Sequence, residues 1–163
     1  MNAIGTGSFS GQPFNGAFTI DLAGDTTSVT QPSSGVFFSG GIATVNVAGI
    51  GSGTFTDQIV AVSNENFLVG GISDLTIGLA LDLIDAPGFA SYDLKSALGG
   101  ITSTVSQLSG NPFPTDHGDF HLTDQSQGTF SATVPEPSSM LLAALGLLGE
   151  VVCVQRGRRQ RRC

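Results

Sequence analysis

Short segments in which apolar and polar residues alternate recur along most of this chain, and glycine, proline, asparagine and aspartate separate them. A period of two places successive side chains on opposite faces of a β-strand. In Ala17–Leu22, for example, Phe18, Ile20 and Leu22 share one face. The segment Leu75–Leu83 carries five in-phase apolar residues, so we predict that it forms a single, well-defined strand.

The number and spacing of these segments favour an all-β domain. Many short strands with turns between them are typical of an antiparallel β-sandwich or a jelly roll. We therefore predict that residues 1–133 form one β-sandwich or jelly-roll-like body, which is long enough to have its own hydrophobic core. The segment Tyr92–Leu98 is an exception, because its sequence predicts a short helical stretch that ends at Gly99 and Gly100.

The segment 134–163 differs from this body and has three consecutive parts. The first part is Val134, Pro135, Glu136 and Pro137, and its two prolines must end any preceding strand because they lack amide donors. The second part is apolar, and we predict a single hydrophobic helix over residues 138–154. The third part, residues 155–163, is a basic tail that contains Arg156, Arg158, Arg159, Arg161 and Arg162. Such a tail resists translocation and stays on the cytoplasmic side of a membrane.

Two properties of the apolar part bear on its insertion into a membrane. The apolar run extends only from Met140 to Val154 and is broken at Glu150. As a helix of about 1.5 Å per residue it is shorter than the hydrocarbon core of about 30 Å. Ser138, Ser139 and local thinning of the bilayer would make up the difference. Glu150 would cost roughly 2.5–3.5 kcal/mol at mid-membrane, but it lies near the cytoplasmic end and can pair with Arg158. The alternative is a helix docked on the protein's own body and followed by a solvated tail.

This order of a Pro-Glu-Pro motif, a hydrophobic segment and a basic tail resembles the PEP-CTERM sorting signal of bacterial envelope proteins. The resemblance is confined to residues 134–163. It implies that an exosortase, a membrane protease-transpeptidase, recognises and processes the chain at the Pro-Glu-Pro motif. It also implies that the hydrophobic segment and the arginines hold the chain in the inner membrane until processing. Substrates of this kind are associated with exopolysaccharide production and biofilm.

Charge is divided between the two ends of the chain. Of the thirteen acidic residues only Glu136 and Glu150 lie beyond residue 135, whereas Lys95 is the only basic residue before it. An acidic body argues against nucleic acid as a partner, because phosphate binding requires clustered lysine and arginine. Both cysteines, Cys153 and Cys163, lie in the C-terminal segment, so no disulfide can form within the body.

The beginning of the chain lacks the basic and apolar regions of a signal peptide, although a protein with this C-terminal segment should be exported. We therefore expect that an N-terminal signal peptide is missing from this sequence. The expected location is transiently the inner membrane and then the cell surface or the extracellular matrix.

Few residues of the body suggest chemistry. His117, Asp119 and His121 would share one face of a strand, and imidazole with carboxylate suits zinc, but no further ligand can be placed. Loop aspartates could hold Ca²⁺, although no segment has the spacing of a calcium-binding loop. Asp82 and Asp85 would serve as the acid and base of a glycosidase only if they faced each other across a cleft.

We therefore predict no catalytic residues, no required cofactor and a non-enzymatic protein. Its expected role is that of a cell-envelope or extracellular-matrix protein that is sorted through its C-terminal segment. The alternative is a Ca²⁺-dependent carbohydrate-binding β-sandwich module, which requires several carboxylates converging at one end of the sandwich. A hydrolase is a third reading and requires two convergent catalytic groups in a pocket.

Overall fold

The computed structural model of the chain describes residues 1–134, and in this part of the chain the secondary structure is almost entirely β-strand. The strands are β1 Asn2–Phe9, β2 Gln12–Gly24, β3 Thr30–Ser33, β4 Val36–Val47, β5 Gly51–Thr54, β6 Ile59–Asn64, β7 Val69–Asp74, β8 Leu79–Asp85, β9 Leu98–Ser103, β10 Val105–Leu108, β11 Pro112–Phe113 and β12 Phe120–Ala132. Two single 3₁₀ turns, Thr26–Ser28 and Pro87–Phe89, complete the regular structure of these residues. The prediction of an all-β body is confirmed.

All strand pairings are antiparallel, and hydrogen bonds connect the strands in the order β10-β8-β7-β6-β4-β2-β1-β12-β11. β3 and β5 add to β4, and β9 adds to β12. The strands thus form one continuous, nearly closed sheet, where we had predicted the separate sheets of a sandwich or jelly roll. The antiparallel arrangement itself agrees with the prediction.

β4 changes its pairing partner along its length. Residues Val36–Gly40 pair with β6, whereas the stretch from Gly41 to Val47 pairs with β2, so one strand belongs to both parts of the sheet. A Cβ atom on Gly41 would overlap the backbone of Ala23, and only glycine allows this close approach. We call the part built from β6, β7, β8 and β10 the β8 half, and the part built from β1, β2, β9, β11 and β12 the β12 half.

Side chains from both halves meet in the main hydrophobic core. Seven of its aromatic residues form two groups of neighbouring rings, Phe14, Phe18, Phe55 and Phe120 in one and Phe89, Tyr92 and Phe130 in the other. Aliphatic side chains from β2, β4, β6, β7 and β8 fill the space around them. Complete burial of one such side chain contributes about 1.5–3 kcal/mol, so this core is the main source of stability.

The predicted single strand over Leu75–Leu83 is wrong. β7 ends at Asp74, a four-residue turn follows, and β8 begins at Leu79. The carboxylate of Asp74 accepts the backbone N–H of Thr76 at 2.6 Å, and Gly78 has a φ of +68°. An aspartate that bonds the backbone two residues later, followed by a glycine with positive φ, favours a turn over a strand. The apolar side chains of this turn are accordingly exposed, 38% for Leu75 and 48% for Ile77.

The predicted helical turns over Tyr92–Leu98 are also absent. Leu94 has a φ of +63°, outside the right-handed helical region, and the Asp93 carboxylate accepts the backbone N–H of Lys95 at 3.0 Å. This local aspartate turn competes with helix formation. The Tyr92 side chain is instead anchored in the core, and its hydroxyl donates to the carbonyl of Ser96 at 3.2 Å.

The predicted hydrophobic helix over residues 138–154 and the basic tail over 155–163 lie outside the described residues. Among residues 1–134, no helix has the length and apolar character needed to cross a bilayer.

Candidate functional site

The Pro-Glu-Pro motif follows the last strand of the body closely. β12 ends at Ala132, and Thr133 and Val134 continue without regular structure. This agrees with the expectation that a strand must stop before the two prolines. Pro135, Glu136, Pro137 and the arginines of the basic tail lie outside the described residues, so their assignment as a processing motif and a retention tail stays a prediction.

The structure separates the three candidate metal ligands. His117 lies in the turn before β12, where its Nδ1 contacts the carboxylate of Asp116 at 2.8 Å. His121 lies on β12, and its Nε2 bonds the carbonyl oxygen of Gly110 at 2.8 Å. Asp119 lies between them, just before the strand begins, so the alternation that would align the three side chains is not present. In the described part of the chain, no group of three or more His, Cys, Asp or Glu residues could hold a metal ion.

The carboxylate of Asp116 organises a loop. It contacts His117 and accepts the backbone N–H of Thr54 at 2.7 Å, and its pKa is lowered by the hydrogen bond from His117 and then by that from Thr54. The carbonyl oxygen of Thr54 in turn accepts a hydrogen bond from the backbone N–H of Asp116. These hydrogen bonds connect the end of β5 to the loop before β12. The pairing of Asp116 with His117 is therefore explained by its role in holding this loop in place.

Asp82 and Asp85 do not face each other across a cleft. Asp82 is completely buried between the two halves of the sheet, whereas Asp85 is exposed at the end of β8. Asp82 Oδ1 accepts a hydrogen bond from Gln125 Nε2 on β12 at 3.0 Å. Burial raises the pKa of Asp82 to about 7, against the opposing effects of the Gln125 hydrogen bond and the Met1 amino group. These two aspartates therefore do not form the acid and base pair of a glycosidase.

A second buried aspartate, Asp74, was not singled out from the sequence. Its carboxylate bonds the turn between β7 and β8, and its Oδ2 atom has no hydrogen-bond partner. Asp57 lies beside it, and the pKa of Asp57 is raised first by desolvation and then by the charge of Asp74. Asp74 holds the turn after β7, whereas Asp57 lies in the segment before β6. The order Asp-Leu-Thr-Ile-Gly from residue 74 to 78 is the sequence signal that could have indicated this turn.

Two of the surface grooves on the described residues can be compared with these side chains. The larger, about 410 Å³, is lined by Ser28, Thr30, Phe38, Gly40, Gly41, Gln58, Val60 and Leu75. The smaller, about 170 Å³, is lined by the first half of β2 and by the end of β4 together with the turn that follows it. Neither groove is lined by Asp82, Asp85 or His117.

Comparison with protein families identifies the C-terminal segment. Residues 133–162 match the PEP-CTERM protein-sorting motif. The chain carries a PEP-CTERM sorting signal. This confirms the resemblance, which rests on Pro135–Pro137, the apolar run and the arginines in that order. A PEP-CTERM signal implies export through the membrane and exosortase-type processing in general terms.

The match covers the C-terminal segment and not the β body. Searches of the curated proteins and of the solved structures found no match to this chain.

Proposed function

We propose that this chain is an exported, non-enzymatic protein of the cell envelope or extracellular matrix, delivered and processed through its PEP-CTERM signal. The observation that carries the proposal is the family match over residues 133–162. In this account the hydrophobic segment and the arginine tail hold the chain in the inner membrane. An exosortase then acts at the Pro-Glu-Pro motif and releases the β body to the cell surface.

Two properties of the body support a non-enzymatic role outside the cell. Its charge is strongly negative, since residues 1–134 contain eleven acidic residues and one lysine. Its two most chemically suggestive groups have structural partners, Gln125 for Asp82 and the Thr54 backbone for Asp116. We therefore infer that the body is a structural component of an exopolysaccharide matrix or biofilm.

The alternative, a Ca²⁺-dependent carbohydrate-binding module, requires several carboxylates that converge on one ion. Residues 1–134 contain no group of three or more potential metal ligands, so this requirement is not met in the described part of the chain. The groove beside Phe38 could accept a sugar ring by stacking, but it has no convergent set of charged groups among its lining residues. We accordingly place the sorted, non-enzymatic role first.

The test of this proposal is the effect of the motif on location. Glu136→Gln changes the central residue of the motif and keeps its size, and Glu65→Gln makes the same change in the body. Both variants should be expressed behind a signal peptide in cells that contain an exosortase, and then followed by immunoblotting of inner-membrane, outer-membrane and medium fractions.

We expect Glu136→Gln to accumulate in the inner membrane, while Glu65→Gln reaches the surface or the medium like the unmodified chain. Equal surface delivery of both variants would contradict processing at this motif. A separate measurement addresses the matrix role: enzymatic digestion of the exopolysaccharide on intact cells should release the protein, and its retention on the digested cells would contradict that role.

A further inference from the structure

Asp82 and Gln125 form a polar contact between the two halves of the sheet. Asp82 lies on β8 and is 0% exposed, and Gln125 lies on β12 and is 7% exposed. Their side chains are joined by one hydrogen bond, Gln125 Nε2 to Asp82 Oδ1, at 3.0 Å. β8 and β12 are not paired as neighbouring strands, so this bond crosses the interior where the nearly closed sheet meets itself.

Among residues 1–134, two oxygen atoms in this contact have no hydrogen-bond partner. They are Asp82 Oδ2 and Gln125 Oε1, and both are buried. An ionised carboxylate has no hydrogen to give, so it would leave both acceptors unsatisfied in the interior, at a considerable cost for each. One additional proton on Asp82 would satisfy both atoms, because a carboxylic acid donates through one oxygen and accepts through the other.

We propose that Asp82 is a protonated carboxylic acid that donates from Oδ2 to Gln125 Oε1, and that loss of this proton above neutral pH opens the contact between β8 and β12. The acid and the amide then form two hydrogen bonds. Gln125 Nε2 donates to Asp82 Oδ1, and Asp82 Oδ2 donates to Gln125 Oε1. We call this contact between Asp82 and Gln125 the latch, and the proton on Asp82 keeps it closed between the two halves of the sheet.

The charged groups near Asp82 are few. The positive charge of the Met1 amino group lowers the pKa of Asp82, against the larger effect of burial. Burial lowers the pKa of the amino group itself, while the charges of Asp21 and Asp82 raise it. The other titratable groups on the strands packed against β8 are Asp74 on β7 and His121 and Asp124 on β12. None of these three makes a hydrogen bond with Asp82, whose described partner is Gln125 alone.

The direction of the pH effect follows from the raised pKa of Asp82. Between its ordinary value of 3.8 and about 7, the unfolded chain loses this proton while the folded chain keeps it. The contribution of Asp82 to stability is therefore largest below pH 3.8, falls as the pH rises towards 7, and is constant above that value. Each pH unit in this window changes the unfolding equilibrium constant by about tenfold.

The test compares the full-length chain in detergent micelles with its Asp82→Asn variant, in which an amide replaces the acid and cannot ionise. We expect the unfolding equilibrium constant of the unmodified chain to rise by up to about a thousandfold more than that of Asp82→Asn between pH 4 and pH 7. Asp85→Asn, which changes an exposed carboxylate on the same strand, should retain the pH dependence of the unmodified chain. Parallel pH profiles for Asp82→Asn and the unmodified chain would overturn the proposal.

Two measurements on the unmodified chain keep the proposal testable if Asp82→Asn does not fold. The carboxyl ¹³C resonance of Asp82 should titrate near neutral pH, and titration near pH 4 would refute a protonated acid. Amide hydrogen exchange on β8 and β12, corrected for the intrinsic rate at each pH, should accelerate above neutral pH more than exchange on β1 and β2. A uniform change over all four strands would contradict a latch at this contact.

Discussion

Phe120 offers the most quantitative test of the core, because it is fully buried and contacts three other aromatic rings. Its ring centroid lies 5.9 Å from that of Phe14, 5.5 Å from that of Phe18 and 6.2 Å from that of Phe55. Phe120→Ala removes the ring and leaves a cavity that the surrounding strands can only partly fill. The transfer and cavity contributions together give an expected loss of about 3–5 kcal/mol in the free energy of unfolding.

Tyr92 provides a suitable probe for this measurement. It is the only tyrosine in a chain without tryptophan, and it is 4% exposed in the second aromatic group, with Phe89 and Phe130. Its fluorescence should therefore change when the body unfolds, and urea titration of the full-length chain in micelles would give the free energy. If a substitution changes only stability, the dependence of the unfolding free energy on urea concentration should be the same in the variant and in the unmodified chain.

Phe67→Ala is the matched control, because it makes the same truncation at a side chain that is 73% exposed. We expect this variant to lie within about 0.5 kcal/mol of the unmodified chain. A loss below about 1 kcal/mol for Phe120→Ala, or equal losses for the two variants, would refute the inference that Phe120 is packed among these three rings in the core.

Two further substitutions test local features. A Cβ atom on Gly70 would overlap the ring of Phe89, so Gly70→Ala should destabilise the body by about 1–3 kcal/mol; Gly99→Ala, with open space around it, should change little in the same urea titration. Asp74→Ala removes the acceptor for the Thr76 N–H, so we expect a loss of about 1–3 kcal/mol and faster hydrogen exchange in the turn after β7. Unchanged exchange in that turn would contradict a stabilising role for the carboxylate.

The sequence predicted the β character of the body because alternation directly reflects burial on one face of a strand. In Ala17–Leu22, Phe18 and Ile20 are 2% and 0% exposed, as their period of two requires. The change of pairing partner along β4 was not predictable in the same way. Gly40 and Gly41 separate two apolar segments in the sequence, whereas in the structure they lie within one strand that changes partners.

The failure at Leu75–Leu83 has a local physical cause. Hydrophobic alternation continued through the turn, but the carboxylate of Asp74 and the positive φ of Gly78 stabilise a reversal of the chain. The residues of the latch could not be paired from sequence, since Asp82 and Gln125 are 43 positions apart and meet only when the sheet has nearly closed. The sorting signal was predictable because it depends on the order of residue types along the chain and not on long-range contacts.

Mass spectrometry of the mature C-terminus tests the central claim most directly. The chain should be expressed behind a signal peptide in cells with an exosortase and in otherwise identical cells without one. We expect the surface form from the first cells to end near Pro137 and to lack the arginine tail, whereas the second cells should retain an inner-membrane form ending at Cys163. An intact Cys163 end on the surface form, or the same C-terminus in both cells, would contradict it.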